Sequence, residues 1–360
     1  MIRGCAAYAR GSSHVKSGKV NQDSFCILPL EDKWIAAVAD GVGSTRYADK
    51  ASSIATETVM HFINDNWPVD DSPISVKSML RTAFNRALVE IRREAEREGN
   101  PLSEYETTLM VVVYDGTRGY YAHVGDGAII GRRRDGTYRV LTTRQQTEDS
   151  HLVVPLSAGY GFWEISEIDE DLVSLVIATD GVADRMVNSS LGEGVYVPLM
   201  MLFDPYVIQY LGRKQVNYSR FFDDPSSTPR STIYNAIYYA MRKGYGFRKS
   251  AALEIASSVK RGMLFKTLEG ISDDKTAVCL YNSDSPPRAR EVGFYTEPDW
   301  RRIYSEKQRL LYPSLDRGER ADRGDEVKTT AKTPSTAEMK RSPRLGRALR
   351  RLLKKADRNG

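Results

Sequence analysis

Apolar runs of two kinds alternate along the first half of the chain. Runs of strand length read FCILPL (25–30), WIAAVA (34–39), TTLMVVVY (107–114), GYYAHVG (119–125), AIIGRR (128–133) and TYRVLT (137–142). Between the second and the third run, residues 48–67 and 74–98 carry apolar residues at helical spacing. This order predicts two paired strands, two helices and then a meander of antiparallel strands with tight turns.

The second half is less regular. The run DLVSLVIAT (171–179) predicts a strand, residues 231–243 and 249–268 predict helices, and TAVCLY (276–281) predicts a last strand. Strand pairs followed by a helix pair and then more strands favour helices stacked on antiparallel sheets over a parallel βαβ sheet.

The composition changes after residue 285. Residues 286–340 are predicted to be a disordered linker, because charge, Thr, Ser and Pro replace large apolar residues over most of that stretch. Residues 341–360 are predicted to be a basic amphipathic tail with four leucines near one helical face. Residues 286–360 hold 20 Lys and Arg against 11 Asp and Glu, whereas residues 1–285 hold 32 against 36. The chain is therefore expected to be a mildly acidic body with a basic tail.

Cysteine content and hydropathy favour a protein of the reducing cytoplasm over a secreted or membrane-spanning one. Cys5, Cys26 and Cys279 have no metal-site spacing, and a sparse, odd set favours a reducing cytoplasm. No apolar run approaches the length of a membrane span, and the N-terminus lacks the apolar core of a signal peptide. The tail allows weak contact with an anionic membrane surface or an acidic partner, or simple solvation. No specific nucleic-acid binding is expected, because the acidic body has no nucleic-acid motif.

Five Asp-Gly dipeptides fall into two groups. Those at 115–116 and 135–136 join strand-like runs and predict hairpin turns, because Gly accepts positive φ and Asp bonds its own backbone. Asp40 and Asp180 instead end apolar runs and lead toward helices or loops, and Asp126 is grouped with them. A carboxylate at the end of a buried strand loses hydration, which is costly unless it is paired or binds a cation.

Several such carboxylates at one end of a sheet would form an oxygen site suited to Mg²⁺ or Mn²⁺. Asp23 precedes the first of the predicted strands, and Asp273 and Asp274 precede the last, where a turn or cap is the simpler local interpretation. From the pattern alone, a metal cluster and a set of turns and caps are equal alternatives.

Six blocks carry a resemblance to a known family. In chain order, NQDSF, VADGVGS, TTLMVVV, HVGDGAII, IATDGV and SDDKTAV resemble the signature of metal-dependent Ser/Thr protein phosphatases, the protein phosphatase 2C-like family. The stretch GSSHVKSGKVNQDSF (11–25) is similar to its bacterial branch. The resemblance covers a phosphatase domain at residues 1–285, in which 182–270 fall where the family carries a flap and accessory helices. It implies an α+β fold, a four-layer α-β-β-α sandwich of two antiparallel sheets with helix pairs outside.

The resemblance also implies a site and a reaction. Asp40 would bridge two Mn²⁺ or Mg²⁺ ions, and Asp126 would help to bind a third, weaker ion. A metal-activated water would hydrolyse phosphoserine or phosphothreonine on a phosphoprotein, with a Ser/Thr kinase as counterpart. The residues implied as metal ligands or neighbours are Asp23, Asp40, Gly41, Asp126, Asp180 and Asp273, and of these Asp23, Asp40 and Asp180 are the catalytic set.

Further residues receive supporting roles. His14 and Asp274 would orient site residues without contacting the ions, and Lys19 would contact the substrate phosphate in place of the arginine of eukaryotic members. Gln22 stands where many members have Glu. That departure and the missing arginine motivate an alternative hypothesis, a catalytically weak regulatory or binding module on the same fold that acts through its basic tail.

Overall fold

The apolar runs form the strands of two antiparallel sheets. The structure, a computed structural model, describes residues 1–146, 152–214 and 218–311. Its strands there are β1 (Ile2–Ala9), β2 (Asp23–Leu30), β3 (Lys33–Asp40), β4 (Leu109–Tyr114), β5 (Gly119–Val124), β6 (Ala128–Arg133), β7 (Tyr138–Val140), β8 (Glu164–Ile168), β9 (Leu172–Ala178) and β10 (Lys275–Asn282). Within these residues, one five-stranded sheet has the order β1-β10-β9-β6-β7 and the other β2-β3-β4-β5-β8.

Helices pack on the outer face of each sheet. The helices of the described ranges are α1 (Ser12–Ser17), α2 (Ala48–Asp65), α3 (Pro73–Glu98), α4 (Asp180–Met186), α5 (Val197–Met200), α6 (Pro205–Arg213), α7 (Arg220–Asp223), α8 (Arg230–Tyr239), α9 (Lys249–Arg261), α10 (Leu264–Glu269), α11 (Val292–Tyr295) and α12 (Trp300–Leu311). Helix α3 begins where the Ser72 side chain accepts from the backbone N–H of Ser75, with Pro73 at its first position, and ends at Gly99 with φ of 70°.

Three apolar cores hold these layers together. The middle core lies between the two sheets and joins side chains of β3 and β4 to those of β6, β9 and β10. A second core packs α2 and α3 on the sheet that contains β3. A third packs helices of residues 180–269 on the other sheet. The fold is therefore the predicted four-layer α-β-β-α sandwich, and the expectation for the fold class is confirmed.

The strand-to-strand turns differ in one place from the predicted meander. The 115–116 and 135–136 hairpins are confirmed: Gly116 and Gly136 have positive φ, and each preceding aspartate accepts a hydrogen bond from the backbone of the second residue on. Strands β5 and β6, however, lie in different sheets, so residues 125–127 cross between the sheets and form no hairpin. The prediction of a continuous meander is wrong at this point, because local turn signals do not reveal a change of sheet.

The predicted helix over 249–268 is broken into α9 and α10 at Gly262. A side chain at Gly262 would collide with the carboxylate of Glu297, which also accepts a hydrogen bond from the N–H of Met263 at 3.0 Å. The apolar periodicity continues through the break and therefore hides it. The contact with Glu297 could not be predicted from the sequence, because Glu297 lies 35 residues away in the predicted linker.

The start of the predicted linker at residue 286 is also too early. Residues up to Ile303 belong to the first of two units into which the chain divides, and the second unit begins at Tyr304. Tyr295 is fully buried, and its hydroxyl accepts a hydrogen bond from the N–H of Arg290 at 3.0 Å. The composition of this segment did not predict that it packs on the domain. Its few large apolar side chains, among Pro and charged residues, are enough to hold it there.

Residues 312–340 of the predicted linker and the basic tail, residues 341–360, lie outside the described residues. In the part of the chain that is described, no helix combines the length and the apolar character needed to cross a bilayer.

Candidate active site

Strand pairing brings the first two predicted aspartates together. Asp23 begins β2 and Asp40 ends β3, and the antiparallel register sets them directly opposite each other, which places their Cβ atoms about 5 Å apart. The end of β3 is fixed by Thr108, whose hydroxyl accepts from the N–H of Asp40 at 2.9 Å and whose N–H donates to the Asp40 carbonyl at 2.8 Å.

The other sheet contributes Asp180 and Asp273. Asp180 is the first residue of α4, immediately after β9, and Asp273 lies in the loop that enters β10. Because β9 and β10 are neighbours and antiparallel, the end of one and the start of the other lie at the same edge. Thr179 ties the two sheets together, since its hydroxyl donates to Asp23 at 2.9 Å and accepts from the N–H of Thr276 at 3.1 Å.

We call Asp23, Asp40, Asp180 and Asp273 the aspartate cluster. Burial, and then the charge of Asp274, raise the pKa of Asp23 to about 8. Burial, and then the neighbouring charges of Asp23 and Asp180, raise the pKa of Asp40 well above its usual range. Burial also raises the pKa of Asp180 to about 6. Burial and neighbouring carboxylates therefore disfavour the ionised forms of Asp23, Asp40 and Asp180 in the absence of a cation.

The described residues supply no cation within ion-pair distance of the aspartate cluster. Lys275 interacts with the cluster only over a longer range. One oxygen each of Asp23 and Asp180 is buried without a hydrogen-bond partner. As the side chains of these residues stand, no three acidic, histidine or cysteine groups converge on one ion position; Asp40 and Asp180 are instead within hydrogen-bonding reach of each other.

Two glycines after these aspartates allow a close approach of backbone. A Cβ on Gly41 would lie 2.5 Å from the carbonyl oxygen of Ala48, and a Cβ on Gly181 would lie 2.0 Å from that of Asp274. Both distances are shorter than any real contact. The Asp-Gly pattern here follows from packing at the strand end, whereas at the hairpins it follows from φ.

Asp126 differs from the aspartate cluster, because it forms an ion pair with Arg144. It lies in the crossover between β5 and β6, and it is 9% exposed. Arg144 donates to Asp126 at 3.4 Å and to Asp184 at 2.6 Å. Burial raises the pKa of Asp126, and the Arg144 charge opposes that rise.

A cleft of about 380 Å³ opens above the cluster. It is lined by Ser13, His14, Gln22, Asp40, Gly41, Val42, Gly43, Ser44, Thr108, Asp126, Leu152, Val153, Asp180 and Asp273. Asp23 is not among the lining residues. Lys19 is not among them either: its ammonium donates to the carbonyl of Gly43 at 2.9 Å. Its predicted contact with a substrate phosphate stays a prediction.

His14 and Asp274 form a hydrogen-bonded pair at the edge of the cleft. The Nδ1 atom of His14 lies 2.8 Å from Asp274, and the buried carboxylate also accepts from the N–H groups of Gly11 and Gln22, each at 2.6 Å. Asp274 thus holds the start of α1 and the entry of β2 together.

Sequence reasoning missed Thr108, Thr179 and Arg144. Both threonines lie within signature blocks, TTLMVVV and IATDGV, and the position of Thr179 directly before Asp180 is a usable signal. Arg144 lies in the run TTRQQT (142–147), which carries no comparable signal.

The sequence matches a known family over this region. Residues 10–219 match the family described as Protein phosphatase 2C. Because the match covers more than half of the chain, the chain belongs to the protein phosphatase 2C family. This is a family of serine/threonine protein phosphatases, so the chain is classed among phosphoric monoester hydrolases.

Solved structures show distant similarity. A crystal structure of the Mycobacterium tuberculosis serine/threonine phosphatase PstP/Ppp is 17% identical, with a TM-score of 0.48, covering 78% of this chain and 98% of that one. A structure of the PstP catalytic domain in complex with two manganese ions is also 17% identical, with a TM-score of 0.44 and coverages of 78% and 97%. PppA from Pseudomonas aeruginosa, described as a regulatory component of T6SS, has the same identity, TM-score and coverages as the manganese complex. No curated protein sequence matched the chain.

Proposed function

We propose that the chain removes phosphate from phosphoserine and phosphothreonine on proteins, with two divalent cations, Mn²⁺ or Mg²⁺, held by the aspartate cluster. The observation that carries the proposal is the cluster itself. Four carboxylates from both sheets meet at one edge, where two of their oxygens are buried without a partner and no cation of the described residues pairs with them. Carboxylate and carbonyl oxygens are the ligands that these ions prefer.

The ligand roles that we propose are those implied by the resemblance to the phosphatase family. Asp40 is next to both Asp23 and Asp180 and would contact both ions, with the Gly41 carbonyl on one of them. Asp180 and Asp273 would bind the other ion. Asp23 lies beneath the cleft and would hold a water. Entry of the ions requires the carboxyls of Asp40 and Asp180 to separate from each other.

The ions and the protein would have different roles in the reaction. When bound, divalent cations would neutralise the phosphoryl oxygens and lower the pKa of a coordinated water. The chain itself orients the carboxylates through Thr108 and Thr179, whose hydrogen bonds fix the two strand ends. A rigid set of ligands avoids reorganisation during the reaction.

We propose two ions rather than three. The third, weaker ion that the resemblance implied would need the carboxylate of Asp126. Arg144 already supplies positive charge there. A guanidinium and a divalent cation on the same carboxylate would repel each other.

The proposed phosphatase domain extends from the N-terminus to Ile303, since residues 286–303 pack with it. The kinase counterpart, the cytoplasmic location and the contact of the tail with a membrane surface or an acidic partner stay predictions.

The test is hydrolysis of p-nitrophenyl phosphate and of a phosphothreonine peptide with Mn²⁺, with Mg²⁺ and with EDTA. Wild type should turn over both substrates only with metal. Asp40→Asn and Asp180→Asn should lose at least about 100-fold in kcat, the upper end of what losing a partner behind a metal ligand costs. Asp115→Asn is the matched control, because it makes the same change in an Asp-Gly dipeptide of a hairpin and should keep full activity.

Metal-independent turnover, or unchanged activity of the two cluster variants, would overturn the metal assignment. A folded wild type that binds Mn²⁺ but hydrolyses neither substrate would support the binding-module hypothesis instead.

A further inference from the structure

Two of the three cysteines lie opposite each other on neighbouring strands. Cys5 of β1 is paired with Cys279 of β10 in the antiparallel register, although they are 274 positions apart in the chain. Both side chains pack in the core between this sheet and its outer helices, and both thiols are free. The third cysteine, Cys26, lies on β2 of the other sheet.

The backbone geometry of the Cys5–Cys279 pair falls within the range of a disulfide. The N–H of Ser283 donates to the carbonyl of Met1 at 2.9 Å, so these two opposite residues are a hydrogen-bonded pair. Hydrogen-bonded pairs recur at every second position of an antiparallel ladder, which makes Cys5 and Cys279 another such pair. Their Cα atoms are therefore about 5.5 Å apart, and disulfides occur at about 4.4–6.8 Å.

The side chains need only a small movement to join. Directly opposite residues have Cβ atoms about 4.5–5.5 Å apart, whereas a disulfide needs about 3.5–4.5 Å. Strand β1 is at the edge of its sheet, next to β10, so a shift of about 1 Å can be made by one strand. The two thiols are already close, since a hydrogen bond from one to the other, followed by burial, raises the pKa of Cys279 well above its usual range.

The two thiols differ in their access to a reagent. Cys279 is fully buried, and Cys5 is half-buried on the edge strand. A small oxidant from solution therefore reaches Cys5 first. The sulfur of Cys279 then lies beside the oxidised sulfur, which is the arrangement of a resolving cysteine.

We propose that Cys5 and Cys279 are a redox modification site, at which hydrogen peroxide closes a disulfide between β1 and β10. The oxygen–oxygen bond of the peroxide breaks, the sulfur of Cys5 becomes a sulfenic acid, and one water is released. The sulfur of Cys279 displaces the sulfenic oxygen, which leaves as a second water, and the sulfur–sulfur bond forms. In sum, two thiols are oxidised and one peroxide is reduced to two waters. This inference does not depend on the proposed phosphatase function.

Mass spectrometry of the full chain provides the test. Reduced wild type is treated with hydrogen peroxide in EDTA, and its remaining thiols are alkylated after denaturation. The product should lack two hydrogens, retain one of its three thiols and yield a linked peptide pair that contains Cys5 and Cys279. Dithiothreitol should restore all three thiols. The oxidised protein should melt several degrees above the reduced one, because the link closes a loop of nearly the whole domain.

The third cysteine supplies a matched control. Cys26→Ser makes the same chemical change outside the pair, and this variant should form the same disulfide with the same rise in melting temperature. Cys5→Ser should show neither the loss of two hydrogens nor the rise, and its melting temperature without peroxide reports any loss of folding.

Three results would overturn the inference. One is a disulfide that includes Cys26 or links two chains. Another is oxidation of Cys5 to a sulfinic acid while Cys279 remains a thiol. The third is wild type that keeps all three thiols under peroxide, or a peroxide-dependent rise in melting temperature that persists in Cys5→Ser.

Discussion

Two groups of buried charges in this molecule are neutralised in different ways. Arg132 of β6 and Asp204, just before α6, are each 2% exposed and form an ion pair with each other. The aspartate cluster is also largely removed from water, yet it carries only negative groups. The first group contains its countercharge, and the second does not.

The charges of Arg132 and Asp204 balance each other within the protein, although Nε and one Nη atom of the guanidinium are buried there without a hydrogen-bond partner. Asp204 also accepts a hydrogen bond from the hydroxyl of Tyr245 and, at 3.0 Å, from the N–H of Tyr206 at the start of α6. The guanidinium lies 5.2 Å from the ring centre of Tyr138 and 5.6 Å from that of Tyr245. No ion from solution is needed to balance this charge. The pair is therefore structural, within the core that packs helices of residues 180–269 on their sheet.

Structural and functional charges in this molecule differ in where their countercharge comes from. Burying a charge is costly unless a partner compensates for it. Where the chain supplies the partner, a mutation should affect stability. Where the chain leaves like charges together, the missing partner comes from solution, and a mutation should affect binding and activity while relieving repulsion in the metal-free protein.

The largest expected effect on stability is at Arg132. Arg132→Met should lower the free energy of unfolding by about 3–5 kcal/mol, because it leaves Asp204 buried and unpaired. Turnover of p-nitrophenyl phosphate by the folded fraction should be unchanged. Urea unfolding followed by fluorescence measures the first quantity, and the double variant with Asp204→Asn should recover part of the loss. A loss below about 1 kcal/mol, the range of an exposed ion pair, would contradict the assignment.

The second effect is a dependence of stability on pH in the metal-free protein, with a slope of at most about 1.4 kcal/mol per pH unit for each raised group. The pKa of Asp23 is raised to about 8 and that of Asp180 to about 6, so the folded state binds more protons than the unfolded state between about pH 4 and 8. In EDTA, these groups should therefore make the protein less stable as the pH rises through that window. Unfolding midpoints at several pH values measure the slope, which should flatten in Asp23→Asn and persist in Asp115→Asn. A slope that is equally steep in Asp23→Asn would contradict this account.

The smallest effect is expected at Asp126. This residue has an ion-pair partner, as Asp204 does, but it lines the cleft next to the aspartate cluster. Its ion pair with Arg144 is partly exposed, and such pairs contribute about 0–1 kcal/mol to stability. Arg144→Gln should therefore change stability little but add a weak third Mn²⁺ to the binding isotherm. Arg134→Gln, which breaks the exposed pair with Asp171, is the control and should keep the wild-type stoichiometry. A third ion already present in wild type would contradict the proposed role of Arg144.

Much of the fold could be predicted because the apolar runs are local signals. Strands β2 to β7 and helices α2 and α3 each carry their own periodicity. Strand β1 was missed, because the small residues of IRGCAAYA lack a clear alternation and its partner β10 lies some 270 residues further along. Strand β8 was missed because EISEI is a short, half-exposed edge strand.

The candidate site could likewise be predicted only where the signal is local in the sequence. Asp40 and Asp180 could be singled out because each ends its own apolar run beside a glycine. That Asp23 pairs with Asp40 depends on strand register. The contact between His14 and Asp274 joins residues 260 positions apart, and the role of Arg144 depends on a change of sheet. Such contacts exist only in the assembled fold.

We expect the aspartate cluster to take up a cation from solution. The most direct measurement is the unfolding free energy of wild type and Asp40→Asn, each in EDTA and in excess Mn²⁺. We predict a reversal: in EDTA the variant is the more stable protein, because it no longer buries a carboxyl beside other carboxyls, and in Mn²⁺ wild type is the more stable, because it binds the ions. If Asp40→Asn were less stable than wild type in EDTA, or if Mn²⁺ stabilised both equally, the claim would be contradicted.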